Sequence, residues 1–80
     1  MISSQTIQTS IDELKAITKV DLCVCDLSGS LVASTTGQLD LSADLITGFA
    51  GSPADSQVIG IHHLLKIMDE GELLYILVAK

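Results

Sequence analysis

Eighty residues with a formal charge of −6, four lysines and no arginine argue against direct nucleic-acid binding, which needs a basic face and uses much arginine. The same balance excludes a basic membrane-surface helix, and the longest apolar runs fall far short of a bilayer span. The hydrophobic share of 48% argues against disorder, yet so short a chain buries only about 60–65% of its unfolded surface, so a partner subunit would add stability.

The amino terminus, MISSQTIQTS, has neither a charged n-region nor an apolar h-region, so a cytoplasmic address is expected. Residues 3–18 read as a helix that Ser3 or Ser4 can cap. Ile7, Ile11, Leu14 and Ile17 or Thr18 recur at helical spacing and form one apolar stripe. That stripe must lie on a sheet or on the same helix in a second copy. Ile7, Ile11 and Leu14 are therefore the expected dimer surface.

From Lys19 to Asp26 the period changes. Val20, Leu22 and Val24 alternate with Asp21, Cys23 and Cys25, and both faces are largely apolar, as in an interior strand. Cys23 and Cys25 point to one face of that strand and read as small buried residues. Further thiols for a metal site are absent, and the C-x-x-C redox spacing is not present. Asp26-Leu27-Ser28-Gly29 suits a type I turn or its bulged variant, and Ser30–Thr36 makes a second strand, completing a hairpin.

Gly37 ends that strand. A second helix opens around Leu39–Ser42, with Asp40 or Ser42 as cap, and runs to about Ala50, where Gly51 can stop it. Gln57–Met68 reads as one long strand in which Gly60 marks a bulge or a close approach. Asp69-Glu70-Gly71 is a turn, and its acidic cluster with Glu72 reads as a solvated tip. Glu72–Ala79, apolar on both faces, is the last strand and is expected at the centre of the sheet beside the first.

The order is then α-β-β-α-β-β, an α+β domain. A four-stranded antiparallel sheet of order 2-1-4-3 with helices packed on it is expected, a small PAS-like or GAF-like arrangement. The shape alone does not assign a function.

Chemistry is sparse. His62 and His63 are adjacent and face opposite sides of a strand, so they cannot share a metal without a bulge. Ser56 with Asp55 and either histidine lacks the nucleophile elbow that a hydrolase needs. No glycine loop is arranged to cradle phosphate, and no cofactor, metal or enzymatic activity is expected. The stretch SPADSQ, holding the chain's only proline, supports two readings. In one, Pro53 ends the helix and Asp55 and Ser56 cap the strand that follows. In the other, Ser52, Asp55, Ser56 and Gln57, with His62 or His63, present donors and acceptors to a small polar ligand or a partner.

The stretch ISSQTIQTSIDELKAITKVDLCVCDLSGSLVAST, followed by a short helix and SPADSQVIGIHHLLKIMDEGELLYILV, resembles the amino-terminal sensory domain of bacterial carbohydrate (sugar) diacid regulators, related to purine-catabolism regulators. The likeness is most specific at SPADSQVI and spans nearly the whole chain. It implies a cytoplasmic, homodimeric, ligand-sensing domain of a transcriptional regulator. It also implies that DNA is met only through a carboxy-terminal helix-turn-helix domain absent from this chain. Residues 1–80 are then one sensory and dimerisation domain, excised from a longer regulator. The alternative is a purely structural homodimerisation domain with no small-molecule ligand. A diacid ligand would call for arginine, lysine or a helix N-terminus, and Lys66 is the only lysine inside a core element.

Overall fold

The computed structural model describes residues 4–37 and 41–80. The expectations placed on Ser3, Leu39 and Asp40 lie outside the described residues. The element order is α1 (Ser4–Thr18), β1 (Leu22–Cys25), β2 (Leu31–Ser34), α2 (Ala43–Ala50), β3 (Ser56–Ile59), β4 (His62–Asp69) and β5 (Glu72–Ala79). The strands form one antiparallel sheet in the order β2-β1-β5-β4-β3. The class is α+β.

The expected sheet of four strands is corrected to five. The supposed single strand from Gln57 to Met68 folds back on itself at Gly60-Ile61, and Ile59 pairs with His62 across the turn. Gly60 has φ of +62°, the left-handed value that a two-residue Gly-X hairpin turn needs at its first central position. The order 2-1-4-3 survives as the four strands β2-β1-β5-β4, with β3 added at the edge. The last strand does lie beside the first, with Leu22 opposite Ala79 and Cys25 opposite Ile76.

The β1–β2 hairpin forms for the reason its sequence suggests. Asp26 Oδ1 accepts from the N–H groups of Ser28 and Ser30 at 2.9 and 3.0 Å, and from the Ser28 hydroxyl at 2.6 Å. Gly29 follows at φ +92°, beside a register shift between Val24 and Cys25. This is a turn closed by a bulge, with glycine at its left-handed position. Helix α1 ends where Lys19 turns left-handed at φ +63°, and the Lys15 ammonium then meets Asp21 at 2.6 Å. The Asp21 carboxyl is held below the usual range by that hydrogen bond.

The two helices lie on opposite faces of the sheet. Helix α2, capped by Ser42, buries Ile46 and Phe49 against Cys23, Cys25, Leu64, Ile76 and Val78. Full burial of side chains like these contributes about 2–3 kcal/mol each. Helix α1 packs its stripe on the other face, where Ile7 and Ile11 meet Leu22, Val24 and Ala33. Of the three residues expected at a dimer surface, Ile7 and Ile11 are thus taken up inside the chain, because the apolar stripe has the sheet to lie on. Leu14 remains half exposed and Ile17 is 79% exposed. Helix α1 sits over the β1–β2 half of its face.

Candidate functional site

The polar stretch after α2 is tied to β4 by one residue, Lys66. Its backbone N–H donates to the Asp55 carbonyl at 3.1 Å, and its ammonium donates to the Ser52 carbonyl. The same ammonium stands 5.3 Å from the centre of the Phe49 ring, within cation–π range. Ser52 in turn closes the end of α2, donating its N–H and hydroxyl to the Phe49 carbonyl at 3.0 and 2.8 Å. Ser52 and Asp55 therefore hold the loop through their backbone carbonyls. The signal for this in the sequence is a lone lysine inside an apolar run, HHLLKIMD.

Once the loop is set, β3 runs along the outside of β4. A hollow of about 300 Å³ lies there, lined by Ser56, Gln57, Val58, His63, Leu64 and Leu65. It brings together three of the six expected ligand residues: Ser56, Gln57 and His63. Ser52, Asp55 and His62 are outside its lining. His62 and His63 fall on opposite faces, as adjacent strand residues must. His63 is exposed and pairs with Val58 and Ala79, while His62 pairs with Ile59 and has its Nε2 buried. Among the described residues, no three His, Cys, Asp or Glu side chains gather in a group that could hold a metal ion.

The cysteines are buried, as their pattern suggests. Cys25 is fully enclosed, and burial pushes its thiol up to about 11, far from the thiolate form that reacts at neutral pH.

The two edges of the sheet differ, and the sequence carries no obvious sign of this. At the β2 edge the side-chain amide of Gln8 acts as a short stand-in strand. Gln8 Nε2 donates to the Ser34 carbonyl at 2.8 Å, and Gln8 Oε1 accepts from the Ser34 N–H at 3.0 Å. At the β3 edge the chain alternation leaves groups outward. Asp55 presents its carbonyl to β4, and Ile59 pairs with His62 at the turn, so Gln57 and Ile59 also face β4. Ser56 and Val58 then turn their N–H and C=O groups away from the sheet. Their side chains are exposed, Val58 by 60%, and Ile61 at the adjoining turn is 67% exposed.

No helix among the described residues is long and apolar enough to cross a membrane. No protein-family model, no curated protein and no solved structure matches this chain.

Proposed function

We propose that this chain is a homodimerisation and interaction module that joins two copies through the β3 edge. The observation that carries the reading is the contrast between the two edges. An unpaired edge strand is a template for another strand, and folded proteins normally block it. Here Gln8 covers the outward N–H and C=O of Ser34 on β2, while β3 is left with outward backbone groups, an exposed valine and no charged side chain within Ser56–Ile59. Antiparallel pairing of two such edges is self-complementary and closes as a two-fold dimer. It accords with the dimerising half of the sensing and dimerisation role that the resemblance implies for the amino-terminal, PAS/GAF-like part of a cytoplasmic sugar diacid regulator-like transcription factor, whose DNA contact would lie in other sequence.

A second reading, ligand sensing, is favoured by the hollow beside β3. Its lining combines Ser56, Gln57 and His63 with Val58, Leu64 and Leu65, a mix of polar and apolar residues suited to a small polar metabolite. It adjoins the proposed edge, so a ligand there would bear on dimerisation.

One experiment separates the readings. The domain is melted at several protein concentrations, with and without sugar diacids and purine intermediates. Folding linked to dimerisation makes the melting temperature climb with protein concentration. An added rise with one compound class supports sensing. A melting temperature independent of concentration contradicts the dimer.

A further inference from the structure

We propose that the sheet face beside α1 receives an amphipathic, net-basic helix from a partner protein. This surface is a face of the sheet, whereas the proposed dimer uses the backbone groups of the β3 edge, and the two are tested by different readouts.

The first argument is one of size. Five strands at about 4.8 Å spacing place the outer strand axes about 19 Å apart. One helix is about 10 Å across and covers roughly half of that width. Helix α1 sits over β1 and β2 and its cluster reaches Ile67, Tyr75 and Leu77, so among the described residues the outer part of the sheet, toward β4 and β3, carries no helix on the α1 side. A groove of about 250 Å³ runs there between α1 and the sheet. Its floor is Val24, Ile67 and Leu77, and its α1 wall includes Thr6, Ser10 and Leu14. The apolar surface continues outward: Leu65 is 42% exposed and Leu14 47%. The α1 wall is low because Thr6 and Ser10 are small, which lets a second helix come close.

The second argument names the occupant. A second copy has no net-basic helix to give: α1 carries Asp12 and Glu13 against Lys15, and α2 carries Asp44 with no basic residue. Helix α1 has its Ile7 and Ile11 committed to its own sheet, and α2 has Ile46 and Phe49 committed to the other face. The charges then select the partner. Asp69, Glu70 and Glu72 form the acidic β4–β5 tip at one end of the groove. That tip is the end away from α1's carboxy terminus, because Leu22 pairs with Ala79 and Lys80 donates its N–H to the Asp21 carbonyl. Lys15 is already paired with Asp21 at the opposite end, and Lys66 is tied to Ser52 on the other side of the sheet. A helix with an apolar stripe and lysine or arginine toward the acidic tip complements both features.

The test uses two synthetic peptides of about 18 residues, enough to span the groove as a helix. One carries leucines at i, i+3, i+4 and i+7 with lysines elsewhere; the other has the same composition with the stripe scrambled. Binding to the whole chain is measured by calorimetry. The striped peptide is expected to bind at least about tenfold more tightly than the scrambled one. Ser10→Phe, which fills the groove from an exposed position, is expected to abolish that preference while leaving the dimer and the circular dichroism spectrum unchanged. Glu70→Lys with Glu72→Lys is expected to weaken binding and flatten its salt dependence. Equal binding of the two peptides, or full binding by Ser10→Phe, overturns the proposal.

Discussion

Replacing Gln8 by alanine tests the physical reasoning at the blocked edge. The side chain makes two hydrogen bonds to Ser34, at 2.8 and 3.0 Å, both partly buried and both joining residues 26 apart in sequence. A net contribution of about 1 kcal/mol per bond gives a loss of about 2 kcal/mol. For a domain of this size that corresponds to a fall of about 10 °C in melting temperature. A second consequence is structural. With the N–H and C=O of Ser34 uncovered, the molecule has two open edges, and edge-to-edge association is no longer limited to a closed pair. Gln8→Ala is therefore expected to melt lower and to form species larger than a dimer, as read by calorimetry and light scattering. Gln8→Glu is expected to be at least as damaging as alanine at neutral pH, because a carboxylate oxygen would then face the Ser34 carbonyl and the Asp12 carboxylate. A variant that melts as the parent does and keeps the parent's oligomeric state would refute the view that Gln8 guards this edge.

Three further outcomes follow from particular residues. Gly29→Ala is expected to cost about 2–3 kcal/mol in chemical unfolding, because a Cβ there would lie 2.7 Å from the Ala43 side chain and the residue holds φ +92°; a loss below about 0.5 kcal/mol would contradict that packing. Glu70→Asn is expected to raise the free energy of unfolding by about 0.5–1 kcal/mol, read by chemical denaturation. Glu70 and Gly71 hold φ of +52° and +81°, the two left-handed positions of a type I′ turn, where asparagine is far better suited than glutamate. The Asp26 carboxyl is held below its usual range by the Ser28 hydroxyl, then by the Ser30 N–H. Its stabilising effect is present above the unfolded value, about 3.9, and is lost as pH falls through the lower folded value. Acid titrations of stability should therefore be shallower for Asp26→Asn than for the parent.

Much of the fold was legible because its periodicities are clean. Ile7, Ile11 and Leu14 announce a helix, the D-L-S-G turn announces a hairpin, and Glu72–Ala79 was placed centrally from its two apolar faces. The miss at Gly60 has a plain cause. The turn between β3 and β4 is written Ile-Gly-Ile, with no polar residue to punctuate it, so the apolar pattern runs straight through. Gly-X at the head of a two-residue hairpin is a recognised signature, and it competed there with the reading of a bulge. The first strand came out shorter than Lys19–Asp26 because Lys19 itself is the left-handed stop of α1. Ser56, Gln57 and His63 could be named from sequence as residues near a hollow, but their meeting depends on the hairpin that sequence reading merged into one strand. Gln8 was beyond reach in the sequence, since its role depends on a partner 26 residues away.

The most direct test of the dimer through β3 is sedimentation equilibrium of the parent chain beside Val58→Pro. Proline removes the outward N–H of an edge residue whose backbone groups are not used in pairing with β4, a position where proline is tolerated. The parent is expected to sediment at twice its 8.4 kDa mass, and Val58→Pro at 8.4 kDa with its helix and strand signals intact. A parent that remains a monomer at all concentrations, or a folded Val58→Pro that dimerises as tightly as the parent, would contradict the account.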